Sequence, residues 1–569
     1  MVLLSCGHSS QDSDVKQKVP NPPSQTFQSP VDYEISLAGN FGEPRPNHFH
    51  GGIDIKTEGR EGKHIYAIAD GYVSRITMGL FGFGNAVYIT HPTGQTSVYC
   101  HLKAFSPRIK AALRRYQYRH ETCIADARLT PLDVPVSQGQ FIALSGNTGH
   151  STAPHLHLEL HDTRTWEMLD PYPYLNHYIA DTVAPQAHGL MAVPQSEADY
   201  FNESSRKQTF GIASHHIDRR FTAWGRVGFA LWANDYMQGS YNHYGIHETI
   251  LNVDGHQVFR SLVDSIPVSL NRMVNSWGDY DHWLHYHTWY IKSFAEPGNT
   301  LPMLKTDSQR GVVTFNEERD YQLEYILHDY KGNEARYTFT VTGRAPVTTS
   351  ASADTAAPTA LSALFRWNQT NSFSLPGMQL IVPYGLLTSD IHIRPTVNRR
   401  PGYLSDAYSF SPTSLPLVGD AEISIFARTD NYDTDSLLFA EADPTKFYIS
   451  CNGKFSGGSY ERGWVSGRIR ELASTCLLEY DDCPPDVRPL SLTAGRLLLA
   501  LSDRQSGIST FKAWVDGRFV VFDAVEKTSN VVCHLSETPI KPTGKSHHLK
   551  FMATDNRHNT REFEADFIY

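Results

Sequence analysis

The stretch PHLHLEL, from Pro154 to Leu160, decides how the N-terminal third of this sequence is interpreted. Leucines alternate with His155, His157 and Glu159. Because residues i and i+2 of a β-strand point to the same face, both imidazoles and the carboxylate are predicted to project together while the leucines face the core. This arrangement suits a metal site, but a His-x-His pair alone is also typical of a polar strand face.

A second stretch, DHWLHYH at residues 281–287, shows how weak the spacing is by itself. It repeats the His-x-His pattern at His285 and His287, but without an acidic or glycine-rich frame. We therefore expect it to be a structural strand.

Candidate partners for the first pair lie upstream, in NHFHGGID at residues 47–54. Here His50 and Asp54 are separated by a glycine-rich turn. Zinc readily takes imidazole nitrogen and carboxylate oxygen, and a catalytic zinc has three protein ligands and one open position. His50, Asp54 and one histidine of the pair would complete such a set. His48 is an alternative ligand by parity, although it lacks this frame and is expected at most to line a groove.

Two further segments fit the same site. VYCHL at residues 98–102 supplies a strand-borne His101, and Tyr99 is expected to share its face, lining the groove or packing at its edge. SGNTGHSTA at residues 145–153 is a loop of small residues that leads into the His-x-His strand, as expected where backbone passes close to a ligand.

Together these motifs resemble the lysostaphin-type, or LytM-type, zinc endopeptidases, which cleave peptide cross-bridges of bacterial cell walls. They occur in family order over roughly residues 40–175, about a quarter of the chain. The matching elements are His50-x-Gly52-x-Asp54, Ala69-Asp70-Gly71-x-Val73, Gly82-x-Gly84-Asn85, Tyr99-x-His101-Leu102, Gly146-Asn147-Thr148-Gly149 and His155-Leu156-His157. Ala153 departs from the glycine common in the family, a small change.

The resemblance implies roles for five residues. It places Zn²⁺ on His50, Asp54 and His157, and leaves His101 and His155 as an unligated catalytic pair. An unligated imidazole can take a proton from the attacking water or hold the developing oxyanion. Which histidine does which stays open.

Other positions near the site have simpler expected roles. Glu159 is on the correct face to orient a ligand, but an ordinary polar strand residue is the simpler interpretation. Asn40 and the loop 41–47 just precede the first motif, and a plain entry loop is favoured over one that approaches the metal.

The resemblance implies a zinc-dependent endopeptidase that hydrolyses peptide cross-links of peptidoglycan, with stem peptides as its substrate. The alternative is a catalytically silent or autoinhibited protein that binds the wall or a protein partner through other modules and regulates wall hydrolases. A third hypothesis is a zinc hydrolase for peptides outside the wall.

Composition predicts a mainly β protein of several domains. The 569 residues carry many aromatics, glycines and prolines, and a net charge of −10 argues against a nucleic-acid-binding protein. The predicted peptidase domain is an antiparallel sheet at residues 31–180, with a helical insertion at 106–134. Two or three immunoglobulin-like β-sandwich domains are expected to follow at 186–343, 360–485 and 486–569, with a linker at 344–358.

An internal repeat supports the first and last of these modules. GIHETILNVDG at residues 245–255 aligns with GISTFKAWVDG at 507–517, and DYKGN at 329–333 resembles DNRHN at 555–559. Between them, residues 360–485 are β-rich but less clearly patterned. The helical insertion has a basic face that is expected to be solvated, with guidance of an anionic polymer as the alternative.

The N-terminus suggests export. Leu3 to Cys6 reads like a lipobox, in which a signal is cut before a cysteine that becomes lipid-anchored, and a Pro-rich tether follows to residue 30. Five preceding residues are too few for a signal peptide, which favours a shortened start over a chance match. The expected location is the periplasm, with a lipid anchor at Cys6. No disulfide is assigned to the other six cysteines.

Overall fold

A computed structural model describes residues 27–79, 82–346, 362–401, 403–411, 416–428 and 442–569. Of the predicted tether 1–30 only residues 27–30 fall inside these ranges, and of the predicted linker 344–358 only 344–346. The fold is mainly β, as predicted, with antiparallel strands throughout most of its sheets. Among the described residues, no helix is long and apolar enough to cross a membrane.

The PHLHLEL stretch forms the centre of the N-terminal sheet. Its strand, His155–Asp162, lies between the antiparallel strands Gly52–Lys56 and Gln95–Cys100. The leucines at positions 156, 158 and 160 are completely or almost completely buried, so the predicted alternation is confirmed. The register places His157 directly opposite Asp54, which brings the first and last motifs together.

The described residues of this unit form fourteen strands and two short helices besides the helix of the insertion. The strands are Leu37–Gly39, Pro44–Arg45, His48–Phe49, Gly52–Lys56, His64–Tyr66, Gly71–Met78, Ala86–Thr90, Gln95–Cys100, Leu102–Phe105, Ala125–Arg128, Pro135–Val136, Phe141–Ser145, His155–Asp162 and Met168–Leu169; the helices are Tyr172–Leu175 and the 3₁₀ turn Asn176–Tyr178.

Within the predicted helical insertion 106–134, Pro107–His120 forms a helix, whereas Ala125–Arg128 forms a strand that pairs with Gly71–Met78. Proline suits the first position of the helix because the missing N–H would have no partner there. Ile109 and Leu113 pack into the core, and the helix ends where Glu121 takes a left-handed backbone with φ 45°.

The expectation of a solvated basic face on this helix holds only in part: Arg115 and Arg119 are exposed, whereas Lys110 and Arg114 contact another module. Lys110 Nζ lies 2.6 Å from Glu537 Oε1, and Arg114 makes two hydrogen bonds to the carboxylate of Asp523. Both acidic residues belong to the last module. The insertion therefore docks that module against the peptidase unit through two of its basic residues.

The first module is a two-layered β structure in which one strand serves both layers. The 19-residue strand His216–Asn234 bends at Gly225, whose φ of 82° favours glycine, and pairs with different strands on either side of the bend. The strands of this module are Gln186–Pro194, Tyr200–Phe201, Gln208–Gly211, His216–Asn234, Glu248–Val253, His256–Leu262, Ser265–Ile266, Ile291–Lys292, Leu304–Thr306, Val313–Phe315, Asp320–His328 and Glu334–Gly343.

A helical excursion interrupts this module, and it corrects one prediction. It comprises Val268–Met273, a 3₁₀ helix, and the α-helices Val274–Trp277 and Tyr280–Tyr286. His285 lies in the last helix and His287 follows it, so the predicted structural strand at 281–287 is wrong. The reason is local: the Asp279 side chain accepts a hydrogen bond from the backbone N–H of His282 and caps the helix.

The second module, residues 362–481, packs a six-stranded sheet on a five-stranded sheet. Its strands are Ala363–Phe365, Asn371–Leu375, Met378–Val382, Ile391–Asn398, Ala407–Ser411, Pro416–Phe426, Phe447–Cys451, Lys454–Phe455, Ser459–Glu461, Trp464–Glu471 and Cys476–Tyr480, with a 3₁₀ turn at Pro444–Lys446. A disulfide joins Cys451 and Cys476, which the sequence left unassigned.

The last module pairs two four-stranded sheets. Its strands are Asp486–Thr493, Arg496–Ser502, Ile508–Val515, Arg518–Val520, Asp523–Ala524, Asn530–His534, Ser546–Asp555 and Thr560–Ile568, with a 3₁₀ turn at Leu535–Glu537. The predicted repeat is visible in its turns. Asp254 and Gly255 of the first module and Asp516 and Gly517 of the last all have positive φ, and each pair closes an equivalent hairpin.

Candidate metal centre and active site

Three side chains from the first and last motifs meet at one buried point. His50 Nε2 lies 3.0 Å from His157 Nδ1 and 3.1 Å from Asp54 Oδ1, and the last two atoms are 2.8 Å apart. All three residues are buried. Donor atoms about 2.0–2.2 Å from a tetrahedral zinc are separated by about 3.3–3.6 Å, so on average these atoms need to move apart by only about 0.5 Å to hold such an ion.

Hydrogen bonds behind these atoms fix which nitrogen faces the centre. The Nδ1–H of His50 donates to the carbonyl oxygen of Asn40 over 2.6 Å, which leaves Nε2 as the ligand atom. The Nε2–H of His157 donates to Glu159 Oε1 over 3.0 Å, which leaves Nδ1. Partners of this kind orient imidazole ligands and raise their basicity.

The loop before the first motif is not a plain entry loop. Besides the Asn40 carbonyl that holds His50, Arg45 Nη2 lies 2.7 Å from Asp54 Oδ2 and leaves Oδ1 for the metal. The Asn40 side chain exchanges two hydrogen bonds of 2.8 Å with the backbone of Gly245, so the first module braces this loop. Sequence spacing gives no signal for a backbone carbonyl, and Arg45 sits outside the family frame.

Glu159 is buried, which overturns its interpretation as an ordinary polar strand residue. Its second carboxylate oxygen accepts a hydrogen bond of 2.7 Å from His161, whose ring stacks on Trp166. His157, Glu159 and His161 thus form one chain along the same strand face. The i, i+2 alternation could have found His161, since it simply continues the pattern.

His101 and His155 lie beside the three ligands and are oriented alike. The Nδ1 of His101 is 2.8 Å from the carbonyl oxygen of Thr148, and that of His155 is 2.8 Å from the carbonyl oxygen of Ala153. Both rings therefore donate through Nδ1 and present an unprotonated Nε2 when neutral. The two rings are 4.9 Å apart, and His155 Nε2 is 3.3 Å from Asp54 Oδ1.

Tyr99 does not line a groove, contrary to expectation. Its side chain is fully buried in the core, and its hydroxyl accepts a hydrogen bond from the backbone N–H of Ile68. The strand ends at Cys100, and His101 takes a left-handed backbone with φ 58°. This turn breaks the i, i+2 parity and sends the two side chains in different directions.

His48, the alternative ligand, lies outside the cluster. It is exposed, and its Nδ1 is 3.0 Å from the carbonyl oxygen of Pro46.

Burial and hydrogen bonding give the histidines different protonation states. Burial lowers the pKa of His50 to about 4 and, together with the neighbouring His157, that of His101 to about 3. Burial also disfavours the charged form of His157, but hydrogen bonds to Asp54 and Glu159 outweigh it and raise its pKa to about 9. His50 and His101 are thus neutral at pH 7, whereas a metal must displace a proton from His157.

Asp54 stays ionised as a ligand must. Burial alone would raise the pKa of Asp54, but the neighbouring His50 and the hydrogen bond from His157 hold it well below its usual range.

A cleft lies between the loop that precedes the His-x-His strand and the last module. A cavity of about 740 Å³ runs between the active-site loop and that module, with Lys103, Thr148 and Glu526 among its lining residues. Lys527 donates hydrogen bonds to the carbonyl oxygens of Gly149 and Ser151 over 3.0 and 2.5 Å, just before the His-x-His strand. No local sequence pattern predicts the position of Lys527, because the contact spans almost 400 residues.

Comparisons with known proteins agree with this geometry. Residues 48–117 match the model of Peptidase family M23, so the chain contains an M23 (LytM/lysostaphin-type) peptidase domain, and residues 362–481 match the model of a Zu5-like domain. The resemblance that the six motifs indicated is therefore confirmed.

Curated relatives share the peptidase segment. An uncharacterized metalloprotease of Haemophilus influenzae is 33% identical over 112 residues, 20% of this chain and 18% of that protein. The DD-carboxypeptidase/endopeptidase Mpg of Neisseria meningitidis is 33% identical over 111 residues, 19% of each chain. The matches thus cover less than a fifth of the length of these relatives. Among solved structures, the catalytic domain of lysostaphin from Staphylococcus simulans is 23% identical, with 25% of this chain and 92% of that chain covered and a TM-score of 0.19.

The family match and these relatives support a peptidoglycan-related metallopeptidase domain, and the family implies a metal ion. The side chains that the resemblance assigns to that ion, His50, Asp54 and His157, are the three that converge in the structure.

Proposed function

We propose that the N-terminal unit is a zinc-dependent endopeptidase that hydrolyses peptide cross-links of bacterial peptidoglycan. One observation carries the proposal: three metal-binding atoms lie within 3.1 Å of one another, with two further histidines beside them whose Nε2 atoms are free of backbone partners.

The donor set favours zinc. Two imidazole nitrogens and one carboxylate oxygen form the three-ligand set of catalytic zinc sites, which keep one position open. A zinc ion held there would polarise the scissile carbonyl and activate the attacking water.

The chain's own residues supply proton handling. His101 and His155 each hold their Nδ1 proton on a backbone carbonyl, so Nε2 of either ring can accept a proton from water. Once protonated, the same nitrogen can donate a hydrogen bond to the oxyanion. The shared orientation makes the two rings a pair around one reaction centre.

The proposed substrate is a stem-peptide cross-link, such as D-alanyl–diaminopimelate. The name of the Neisseria relative, a DD-carboxypeptidase/endopeptidase, favours a bond of this type over a glycine bridge.

Digestion of purified peptidoglycan tests the proposal. Wild-type protein is expected to release soluble muropeptides with cleaved cross-links, identified by mass spectrometry. His157→Ala is expected to lose both zinc and activity, and His101→Ala to keep zinc and lose activity. Unchanged activity in both variants would refute the assignment, and cleavage of proteins but not of sacculi would favour the third hypothesis.

The contact between Lys527 and the active-site loop favours a second candidate, an autoinhibited or regulatory protein. The last module holds the backbone just before the His-x-His strand, so its position can control the conformation of this loop. Lys527→Ala is expected to raise muropeptide release if the module restrains the loop, with the exposed Lys541→Ala as control. Stoichiometric zinc without activity in either variant would support the silent, regulatory function.

The proposed substrate requires an exported protein. Peptidoglycan lies outside the cytoplasmic membrane, so we propose a periplasmic location with Cys6 as lipid anchor. Cys6 lies outside the described residues. Incorporation of labelled fatty acid in wild type but not in Cys6→Ala tests this anchor.

A further inference from the structure

Three aspartates meet where the peptidase unit joins the first module. Asp181 lies in the connection between them, Asp235 directly follows the strand His216–Asn234, and Asp329 directly follows the strand Asp320–His328. One carboxylate oxygen from each lies within 4.8 Å of the others. All three residues are buried, at 8%, 3% and 3% exposure.

Two buried polar atoms beside this cluster lack partners. Asp235 Oδ1 and the hydroxyl of Tyr172 have no hydrogen-bond partner among the residues that the structure describes, although Asp235 is 3% and Tyr172 4% exposed. Both residues, with Asp181, line one cavity of about 20 Å³. That is the space of about one water or ion. Unpaired buried polar atoms are unfavourable, so they point to a ligand in this cavity.

The surrounding basic groups do not fill that role. Lys331 is exposed and its Nζ donates to the Asn176 carbonyl oxygen over 2.8 Å. His247 lies on the cavity wall, but its Nε2 is 2.8 Å from Asp264 Oδ1. A further acidic residue, Asp170, also lines the cavity, and burial raises its pKa to about 7.

We propose that Asp181, Asp235 and Asp329 bind a hard divalent cation, with Ca²⁺ as the best fit. The donors are oxygens only, which favours calcium or magnesium over zinc. Calcium takes carboxylate ligands at about 2.3–2.6 Å in flexible geometry, so oxygens up to 4.8 Å apart can share one ion. Magnesium requires a smaller, near-octahedral shell and suits this spread less well.

Other contacts of the cluster are consistent with a braced site. Asp329 accepts hydrogen bonds from the backbone N–H and the side chain of Asn333 over 2.8 and 2.6 Å, and Asp181 Oδ1 accepts one from the backbone N–H of Val183. These bonds hold two carboxylates in place. Burial, with the neighbouring Asp181 and Asp329, raises the pKa of Asp235 to about 8, so without a cation a shared proton would have to neutralise the cluster.

The last module contains the equivalent cluster, Asp481, Asp503 and Asp555, and offers a matched comparison. In the repeat, Arg557 stands where the first module has Lys331. Arg557 is buried, at 8% exposure; burial lowers the pKa of its guanidinium, and the neighbouring charges of Asp555 and Asp481 oppose that shift. A protein cation thus accompanies the second cluster, whereas the first has only an exposed lysine. The proposal concerns the first cluster alone.

The site would tie the peptidase unit to the first module. The cavity wall includes Asn40, whose carbonyl holds His50, and Gly245, which binds the Asn40 side chain. A cation here therefore stabilises the brace behind the metal centre. This inference does not depend on the proposed function.

Calcium titration of the full-length, zinc-loaded protein in resin-treated buffer tests the proposal. Isothermal titration calorimetry with CaCl₂ is expected to show one site, and saturating Ca²⁺ to raise Tm by several degrees. Asp235→Asn, which keeps the shape and removes the charge, is expected to weaken binding at least tenfold and abolish the rise in Tm. Asp503→Asn, in the other module, is expected to retain both.

Terbium provides a second readout, because Tyr172 and Tyr330 on the cavity wall can sensitise its luminescence. The signal is expected to appear in wild type, to be displaced by Ca²⁺, and to be lost in Asp235→Asn. Asp181→Asn serves as a second variant should Asp235→Asn fail to fold. The proposal is overturned if wild type shows no calcium heat and no shift in Tm, if Asp235→Asn raises Tm without calcium dependence, or if only Asp503→Asn loses binding.

Discussion

Two of the molecule's three His-x-His segments, at 155–157 and 285–287, are identical in spacing and opposite in use; the third is His48 and His50. His155 and His157 lie on the central strand of the peptidase sheet, where both rings reach Asp54. His285 lies on an exposed helix and His287 ends it with φ 53°. Residues i and i+2 share a face of a strand but lie about 200° apart around a helix. The same spacing thus places two histidines in the candidate metal centre in one segment and on the exposed surface in the other.

The local sequence around each pair decides the difference. Alternating leucines bury the far face of the first strand, whereas Asp279 caps the second segment as a helix. Tyr280 and Trp283 then stack at i, i+3 spacing, which is helical rather than strand-like. A capping residue upstream of a His-x-His pair therefore helps to predict whether the pair lies on a helix or on a strand.

The largest expected effect comes from removing the buried ligand of the first pair. His157→Ala is expected to lose zinc and to reduce muropeptide release by about 10³-fold or more, because metal polarisation contributes several kcal/mol at about 1.4 kcal/mol per tenfold. Zinc content by mass spectrometry and turnover on purified peptidoglycan measure this. A variant that keeps stoichiometric zinc would show that His157 is not a ligand.

The second-largest effect is expected from a variant that distinguishes metal binding from proton transfer. His101→Ala is expected to retain zinc and to lower activity by about 10²–10⁴-fold, the usual contribution of a general acid–base group. Thermal denaturation with and without added zinc is the control for folding. Loss of zinc in this variant would move His101 into the ligand set.

Much of the site could be predicted from sequence because it follows strand parity. His155, His157 and Glu159 share a face, and cross-strand register then sets Asp54 opposite His157. Parity failed at Tyr99, where the left-handed backbone of the next histidine, His101, turns the chain. The prediction for Tyr99 was therefore wrong because of the backbone conformation, not because of the residue type.

Contacts between distant segments could not be predicted. Arg114 meets Asp523 and Lys527 meets Gly149 across roughly 400 residues, and no local pattern encodes such pairs. The hydrogen bond from His50 to the Asn40 carbonyl could not be predicted either, because every residue has a backbone carbonyl. The mainly β fold could be predicted from composition and alternation. The helix at 280–286 differs from the predicted strand because Asp279 caps it.

Glu159 sharpens the comparison further, since neither His285 nor His287 shares a strand face with such a carboxylate. Glu159→Gln is expected to weaken zinc affinity by about 10–100-fold, because loss of a carboxylate behind an imidazole ligand has this typical effect. Competition with a zinc-binding dye measures it. Glu564→Gln, on the edge of the last module, is the control and is expected to bind zinc like wild type.

The pH dependence of zinc binding gives a smaller effect of known sign. The pKa of His157 is raised to about 9, so below that pH zinc must displace a proton. Affinity is expected to fall about tenfold per unit as pH decreases from 9 to 7, with one proton released per zinc at pH 7. Calorimetry in buffers of different ionisation enthalpy counts the protons. Pure pH independence over this range would contradict the protonation of His157.

The smallest effects are expected at the second pair. His285→Ala is expected to leave zinc content and activity unchanged, and to change stability by no more than about 0.5 kcal/mol, because the side chain is exposed. His287→Gly is expected to stabilise the protein by up to about 1 kcal/mol, since glycine relieves the left-handed backbone at the helix end. Chemical denaturation measures both variants. A loss of zinc in either would mean that His-x-His spacing binds metal even on a helix, and the distinction between the two segments would fail.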